Sequence, residues 1–252
     1  MKYAIITGAS KGLGYSVAKL LLEKGIHVIG ISRTEPDGLK KIAETSNVTF
    51  QQFQCDLGDV EEIETTFGKI KSQWGEGVSD LYLVNNAAVV EPVDQAMNMK
   101  SSDLAYHVKV NTIAPMVMTN LFLREAVSKG IRFIGSTVTS GAAERPVSGW
   151  SAYCSTKASI NMYTETVAIE QDEKGTGNKV FAFSPGIMDT GMQEKIRSAS
   201  PDEFSAVETF KSYKENKALK DTDTVGGVLV DILTDEANLE NGKIYHVKDY
   251  LS

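Results

Sequence analysis

Short apolar runs alternate with amphipathic stretches through the first third of the chain, and this alternation restricts the possible folds more than any other feature. The run from Lys2 to Thr7 is rich in β-forming residues and ends at Gly8, after which apolar residues recur at helical spacing as far as Gly25. The pattern continues as β-α-β-α-β-α-β to Val84. Because repeated βα units join strands through right-handed crossovers, the sequence predicts a parallel sheet with helices on both faces.

The rest of the chain adds strands and helices of the same kind. Two halves of three strands each, followed by a short last strand, predict an α/β fold with a doubly wound, Rossmann-like parallel sheet, in a single domain over residues 1–252. From about 187 to 220, methionine and aromatic residues are scattered among charges, which predicts a partly helical cover over a substrate pocket; an ordinary surface excursion is the alternative. The predicted strands are 2–7, 27–32, 48–54, 81–84, 131–139, 180–184 and 243–247, and the predicted helices after the first are 39–44, 59–74, 102–129, 151–173 and 222–234.

Charge and composition exclude several classes of partner. The net charge of −7 and the pI of about 5.1 oppose binding to nucleic acid or to an anionic membrane surface. No apolar run is long enough to span a bilayer, and the residues after Met1 do not form a signal peptide, so we expect a soluble cytoplasmic protein. Cys55 and Cys154 lack metal-ligand spacing, which predicts no metal site and two buried or bystander thiols.

The turn between the first strand and the first helix carries the glycines of a phosphate-binding loop. Glycines tolerate positive φ and let the backbone approach a pyrophosphate, which then rests on the positive end of the helix. A glycine-rich turn without a ligand is the alternative, but the flanking strand and helix favour a dinucleotide site. The loop consists of Thr7, Gly8, Ala9, Ser10, Lys11, Gly12, Leu13 and Gly14.

Residues near the end of the second strand favour NADP over NAD. An acidic residue there would bind the ribose 2′-hydroxyl of NAD, but the chain has Ser32 and Arg33, with Lys11 in the glycine loop. Two cations and a hydroxyl suit a 2′-phosphate, since a guanidinium forms charge-assisted bonds to phosphate. Glu35 lies beyond the expected strand end, and we interpret it as solvated. The sequence therefore predicts NADP(H) as the coenzyme.

Polar residues follow the third and fourth strands and recur in the long helix. Asp56 could bind adenine while Leu57 covers the ring, although a helix-capping Asp beside a core Leu is the alternative. The backbone of the 85–88 run should line the dinucleotide where a doubly wound sheet opens its crevice. Asn111 lies inside the long apolar helix, where a buried amide needs hydrogen-bond partners.

A phenol and an ammonium group lie four residues apart in the predicted helix 151–173. Positions i and i+4 share a helix face, so Lys157 could stabilise the phenolate of Tyr153, whose hydroxyl ordinarily keeps its proton up to a pH of ~10. Taken alone, this spacing also fits a surface helix. Its meaning depends on the motifs around it.

Together and in this order, the motifs resemble the short-chain dehydrogenase/reductase family, from the glycine loop through the segment after Pro185. The resemblance implies a catalytic set of Asn111, Ser140, Tyr153 and Lys157. It also implies that the turn after the sixth strand contacts the coenzyme. The predicted coenzyme-binding residues are Thr7, Gly8, Ser10, Lys11, Gly12, Leu13, Gly14, Ser32, Arg33, Asp56, Leu57, Asn86, Ala87, Tyr153, Lys157, Pro185, Gly186, Ile187 and Thr190.

The catalytic serine and Ala88 are the two positions to compare with the family pattern. Ser136 and Ser140 both lie near the end of the fifth strand, and the family's usual spacing to the catalytic tyrosine selects Ser140. Ala88 stands where the family has glycine, which questions the local backbone shape more than the activity.

Two shorter segments resemble the sepiapterin reductases and the related bacterial benzil reductases. They are 149–154, which contains Trp150, and 184–193, which contains Asp189. In the sepiapterin enzymes an aspartate in the second segment anchors the pterin. The resemblance therefore implies substrate contacts by Ser140, Trp150 and Asp189, although an acidic cap on the following helix is the alternative for Asp189.

The resemblance implies reduction of a vicinal dicarbonyl by NADPH. Tyr153 would donate the proton and Ser140 would hold the carbonyl oxygen. Lys157 would lower the Tyr153 pKa and bond to the nicotinamide ribose, and Asn111 would hold a water that relays protons. The alternatives are a reductase of acyl or sugar carbonyls and a nucleotide-sensing protein that has lost catalysis.

The family also forms homodimers or homotetramers through its two long helices, so we expect an oligomer here. No role in the predicted chemistry falls to the histidines. His27, His107 and His246 are therefore assigned structural or surface roles.

Overall fold

The protein is described by a computed structural model covering residues 1–74 and 77–251. Within these ranges, seven parallel strands form one sheet in the order β3-β2-β1-β4-β5-β6-β7. Strand order reverses between β1 and β4, which confirms the predicted doubly wound, Rossmann-like fold. The strands are β1 (Lys2–Thr7), β2 (His27–Ser32), β3 (Phe50–Gln54), β4 (Asp80–Asn85), β5 (Arg132–Val138), β6 (Lys179–Ser184) and β7 (Ile244–His246).

Helices cover both faces of the sheet. In the part of the chain that the structure describes, no helix is long and apolar enough to cross a bilayer. The α-helices are α1 (Gly12–Glu23), α2 (Leu39–Thr45), α3 (Val60–Lys71), α4 (Ser101–Val108), α5 (Ala114–Lys129), α6 (Ser151–Glu173), α7 (Gly191–Arg197), α8 (Val207–Glu215) and α9 (Thr222–Thr234).

Strand β1 shows how the core forms on both sides of the sheet. Successive side chains of a strand point to opposite faces, so Ala4 and Ile6 enter one apolar cluster and Ile5 enters the other. Helices α1 and α9 cover the first face. On the second face α3 packs against α5, where the rings of Phe67 and Phe122 meet edge to face at 5.0 Å. Both faces of the inner strands β1, β2, β4 and β6 are buried, and these strands are accordingly rich in apolar residues.

The long predicted helix 102–129 is not one uninterrupted α-helix. Helix α4 ends at Val108, a π-helical turn spans Lys109–Ile113, and α5 begins at Ala114. Pro115 has no backbone N–H, so it cannot bond the carbonyl of Asn111 four residues earlier. The regular ladder is therefore broken at the residue that the sequence assigns to catalysis. Smaller shifts of boundary place the start of β3 at residue 50 and the end of α3 at residue 71.

The segment 187–220 follows β6, and its two ends lie side by side. Its two ends pair, because Lys220 N donates to Ile187 O at 3.0 Å and Asp189 N donates to Lys220 O at 3.1 Å. The segment contains α7 and α8. We call it the covering segment, since residues of both helices line the cavity described next.

Candidate active site

A cavity of about 1570 Å³ opens between the carboxyl ends of the strands and the covering segment. Ligands of doubly wound sheets bind in this crevice. Its size exceeds the ~300–1,000 Å³ of an ordinary small-molecule pocket, so it can hold a dinucleotide and a second small molecule. Every residue predicted for the coenzyme, the substrate or catalysis lines this cavity except Thr7, Gly14 and Asn111.

Thr7 and Gly14 lie behind the cavity wall and shape the glycine loop. The Thr7 hydroxyl oxygen accepts hydrogen bonds from the backbone N–H groups of Asn86 and Ala87, both at 3.0 Å. A Cβ atom at Gly14 would lie 2.3 Å from the carbonyl oxygen of Gly8 and 2.5 Å from the Asn86 amide nitrogen. Only glycine fits at position 14, and the loop is held against the end of β4 with its backbone free to approach a phosphate.

Two cationic side chains, Lys11 and Arg33, are exposed at the rim of the cavity beside the end of β2. Ser32 also lines the cavity, and its hydroxyl donates to the carbonyl oxygen of Thr34 at 2.7 Å. Glu35 is 59% exposed and pairs with Lys40 at 2.5 Å. The acidic residue near β2 is therefore directed to solvent and α2, and the charge at this part of the rim is positive.

The carboxylate of Asp56 accepts hydrogen bonds from two donors and does not cap a helix. Its Oδ1 atom accepts from Gly58 N at 2.9 Å and from the hydroxyl of Tyr106 at 3.1 Å. The cap of α3 is Asp59, whose side chain accepts from the backbone amides of the first helical turn. The helix-cap alternative for Asp56 is therefore wrong.

Tyr106 is a residue of this region that the sequence analysis missed. It reaches over from α4, and a Cβ at Gly58 would lie 2.4 Å from its ring. The glycine two residues after Asp56 was the available signal, because it leaves room for a large side chain.

Tyr153 and Lys157 lie buried on one face of α6. Burial raises the pKa of Tyr153 to about 12, against a smaller lowering by the Ser140 side chain. Burial also lowers the pKa of Lys157 to about 8. The ammonium nitrogen donates to the carbonyl of Val138 at 2.7 Å and lies 5.8 Å from the Tyr153 ring centroid. The expected lowering of the Tyr153 pKa by Lys157 is not seen, and the pKa of Tyr153 is raised because the phenol is buried.

The structure separates the two serines near the end of β5. Ser136 is fully buried within the strand. Ser140 follows the strand, lines the cavity and interacts with the Tyr153 side chain, while its hydroxyl oxygen accepts from Ala142 N at 3.2 Å. Of the two, Ser140 is the one placed beside the phenol.

The side chain of Asn111 is fully engaged by other groups of the protein. Its Oδ1 atom accepts from Val89 N at 2.8 Å, and its Nδ2 atom donates to Val89 O at 2.7 Å and to His107 Nε2 at 3.0 Å. No donor of the amide is left for a water. The remaining polar group of the residue is its backbone carbonyl, which Pro115 deprives of an α-helical donor.

Ala88, which stands where the family pattern has glycine, directly precedes Val89. Asn47 and Lys217 are the non-glycine residues with positive φ in the described ranges, so Ala88 is not in that region. The alanine therefore introduces no left-handed strain here.

An aromatic wall extends from Tyr153 into the covering segment. Trp150 stacks on Phe204 with ring centroids 4.7 Å apart, and it meets Tyr153 and Phe210 edge to face at 5.2 and 5.3 Å. The sulfur of Met192 lies 4.0 Å from the Tyr153 hydroxyl. The space in front of the phenol is thus bounded mainly by apolar and aromatic groups, which suits a flat apolar molecule.

Asp189 does not cap α7. The cap position is Thr190, and the carboxylate of Asp189 instead pairs with Lys214 of α8 at 2.6 Å. The capping alternative is therefore wrong. Both members of the pair are about half exposed, so a ligand could displace Lys214 from the carboxylate.

Comparison with known proteins finds relatives that are similar in sequence and in fold. The short chain dehydrogenase family profile matches residues 2–201. The chain is 38% identical over 252 residues to a Bacillus subtilis benzil reductase ((S)-benzoin forming), covering 100% of both chains. It is 38% identical over 237 residues to the enzyme of the same name from Bacillus cereus, covering 94% of this chain and 95% of the other. The crystal structure of a short chain dehydrogenase/reductase from Saccharomyces cerevisiae superposes with a TM-score of 0.81 at 27% identity, covering 98% of this chain and 96% of the other.

Proposed function

The chain belongs to the short-chain dehydrogenase family, and on that premise we propose that it is an NADPH-dependent reductase of vicinal dicarbonyl compounds. Membership and the benzil reductase relatives make it an oxidoreductase of CH–OH and C=O groups that uses a nicotinamide coenzyme. The observation that carries the finer proposal is the meeting of Tyr153, Ser140 and Lys157 in the cleft that the glycine loop also lines.

Tyr153 is the proposed proton donor. When bound, the coenzyme supplies the hydride. With a pKa of about 12, the phenol keeps its proton at neutral pH and is still a stronger acid than the alcohol that forms, so its proton moves to the reduced oxygen. Ser140 stands beside the phenol and holds the carbonyl oxygen in place while negative charge develops on it.

Lys157 and Asn111 are proposed to return a proton to Tyr153. One N–H of the ammonium group is taken by the Val138 carbonyl, which leaves two for a ribose hydroxyl and a water. The Asn111 amide is occupied, so the water would bind its backbone carbonyl, which lacks an α-helical donor because of Pro115.

Two features support NADPH over NADH. Lys11 and Arg33 stand at the rim beside β2, where a 2′-phosphate would add negative charge. The acidic residue of this region, Glu35, faces Lys40 and solvent rather than a ribose. The pyrophosphate is common to both coenzymes, and the close packing at Gly14 gives it access to the loop backbone.

The aromatic wall supports an aromatic diketone as substrate. Trp150 and Phe210 bound the space in front of Tyr153, and two relatives at 38% identity are benzil reductases. A neighbouring carbonyl withdraws electrons from the one that accepts hydride, which eases attack. A sepiapterin-like diketone is the second candidate, and its pterin would have to displace Lys214 from Asp189.

We propose that the covering segment 187–220 encloses this substrate. We also propose that the enzyme is a homo-oligomer and that it is cytoplasmic. Acyl and sugar carbonyls are the rival substrates, and they fit the aromatic wall less well. A nucleotide-sensing protein without catalysis is the rival class.

The test follows the absorbance of the reduced coenzyme with benzil, sepiapterin, an acyl carbonyl and a sugar carbonyl, using NADPH and NADH in parallel. We expect turnover of the diketones with NADPH and loss of that turnover by about 10²-fold or more in Tyr153→Phe, with NADPH affinity nearly unchanged. Coenzyme binding without oxidation by any carbonyl would support the sensing protein instead.

A further inference from the structure

His107 lies in the last turn of α4 and is fully buried. A buried imidazole needs partners for both ring nitrogens. Its Nδ1 atom lies 2.7 Å from the Glu91 carbonyl oxygen, and its Nε2 atom lies 3.0 Å from the Asn111 amide nitrogen and 3.1 Å from the Thr156 hydroxyl. The ring also meets that of Tyr153 edge to face at 6.2 Å. These contacts join a cleft loop, the π-helical turn and the catalytic helix.

The partners define the protonation state of this ring. The Glu91 carbonyl can only accept a hydrogen bond, so Nδ1 carries the proton. The orientation of the Asn111 amide is fixed by Val89, whose N–H requires the amide oxygen and whose carbonyl takes one amide hydrogen. The second amide hydrogen then points at His107 Nε2, which must be unprotonated to accept it.

The hydroxyl of Thr156 does not change this assignment. The hydroxyl can donate its hydrogen to the unprotonated Nε2 at 3.1 Å, and the carbonyls of Ala152 and Tyr153, at 3.0 and 3.1 Å, are its other possible acceptors. Thr156 directly precedes Lys157 in α6. The neutral imidazole therefore connects the catalytic helix, through Thr156, to Asn111 and to the loop at Glu91.

We propose that His107 is a positioning residue for the reduction, and that its neutral Nδ1–H ring holds Asn111 and the 89–91 loop in register with the helix that carries Tyr153 and Lys157. The proposal rests on the proposed function, because it assigns His107 a part in that reaction. His107 touches no reacting atom and acts through Asn111 and the loop.

Protonation of His107 would oppose this arrangement. A second ring N–H would face the N–H of Asn111, and rotating the amide to accept it would break both bonds to Val89. The charged or titratable groups facing the ring are Lys157 and Tyr153 from α6 and Glu91 from the loop. Burial and, to a smaller extent, Lys157 lower the pKa of His107 against the opposing effect of Glu91. Turnover should therefore fall on the acid side, below the ordinary histidine pKa of ~6.5.

Two amide substitutions separate the bonds of the ring. His107→Asn places an amide nitrogen near the Nδ1 position and keeps the bond to Glu91, but leaves Asn111 without its acceptor. His107→Gln places an amide oxygen near the Nε2 position and keeps that acceptor. We expect His107→Asn to lower kcat by about tenfold with NADPH affinity changed by less than about twofold, and His107→Gln to keep most of the turnover.

The pH profile gives a readout that loss of stability would not reproduce. Glutamine does not titrate, so the acid limb of kcat seen in the wild type should disappear in His107→Gln. Equal losses of kcat in the two variants, no loss in either, or an unchanged acid limb in His107→Gln would each overturn the proposal.

Ring ¹⁵N–¹H spectra of the wild-type protein test the same assignment without any substrate. We expect the neutral Nδ1–H tautomer for His107, and a pKa below the ordinary histidine value of ~6.5. An Nε2–H tautomer would overturn the proposal even in an active enzyme. Absence of dicarbonyl turnover together with the Nδ1–H tautomer would instead reject the proposed function and leave the hydrogen-bond assignment standing.

Discussion

At the scale of single residues, Lys157 sets the expected response to alkaline pH. Burial lowers its pKa to about 8, so the ammonium form is present below that pH and is lost as the pH rises through it. A proton return that needs the cation should slow accordingly. We expect kcat for diketone reduction to fall above pH ~8. Measured NADPH affinity at each pH separates this effect from loss of coenzyme binding, and a flat profile to pH ~10 would contradict the role.

Arg33 offers a test of coenzyme choice with a matched control. Arg33→Ala should weaken NADPH binding by about 10- to 100-fold and leave NADH binding nearly unchanged, because a charge-assisted bond to the 2′-phosphate is lost. Glu35→Gln removes a nearby exposed charge that pairs with Lys40, and it should leave the preference unchanged. Titration of each variant with both coenzymes measures the ratio. Equal weakening of NADPH and NADH by Arg33→Ala would argue against a phosphate contact.

At this scale, sequence reasoning depends on local spacing. Ser140 was chosen over Ser136 by its distance from Tyr153 along the chain, and only Ser140 lines the cavity. The roles of Tyr106 and His107 were not predicted, because their partners are distant in sequence. Tyr106 bonds Asp56, and His107 bonds a backbone carbonyl of the cleft loop. No periodicity reports such contacts, since they arise only when α4 packs beside the cleft.

At the scale of elements, the sequence contains a signal for the break between α4 and α5. This signal is Pro115, and the apolar spacing of a continuous helix hides it. Apolar spacing predicts one continuous helix over 102–129, whereas Pro115 removes the N–H that would bond the Asn111 carbonyl. The π-helical turn follows at that position, as such turns often do at functional sites.

Pro115→Ala tests whether the freed carbonyl serves the reaction. The new N–H would compete for the Asn111 carbonyl, so kcat should fall by about tenfold, while removal of a helix proline should not lower stability. Turnover and thermal unfolding measured on the same preparation separate the two effects. Unchanged kcat at equal or higher Tm would show that the carbonyl has no part in proton return.

The covering segment allows the two candidate substrates to be distinguished. If Asp189 anchors a pterin, Asp189→Asn should raise KM for sepiapterin by about tenfold and leave KM for benzil nearly unchanged, since benzil offers no donor to a carboxylate. Lys214→Met is the matched control, because it breaks the same ion pair and retains the carboxylate. A rise in KM for both diketones in both variants would mean that the ion pair only holds the covering segment in place.

At the scale of the whole molecule, the strand order follows from the alternation of elements, and the predicted fold was confirmed because handedness and parallel pairing leave few arrangements. The alternation does not report which exposed surfaces meet other copies of the chain. Exposed apolar side chains remain on the two long helices: Met162 and Ile169 on α6 are 65% and 58% exposed, and Val127 on α5 is 51% exposed. Residues seven apart lie on nearly the same helix face, so Met162 and Ile169 form one stripe.

Burial of these exposed apolar side chains between copies is the expected basis of oligomer formation. Met162→Lys combined with Ile169→Lys should place charges in the interface and shift the protein to monomers, because a buried unpaired charge is strongly unfavourable. Sedimentation equilibrium measures the mass, and circular dichroism checks that the monomer is folded. Met97→Lys is the control, since Met97 is 90% exposed but lies outside α5 and α6. A wild type that sediments as a monomer, or a double variant of unchanged mass, would exclude the α6 stripe as the interface.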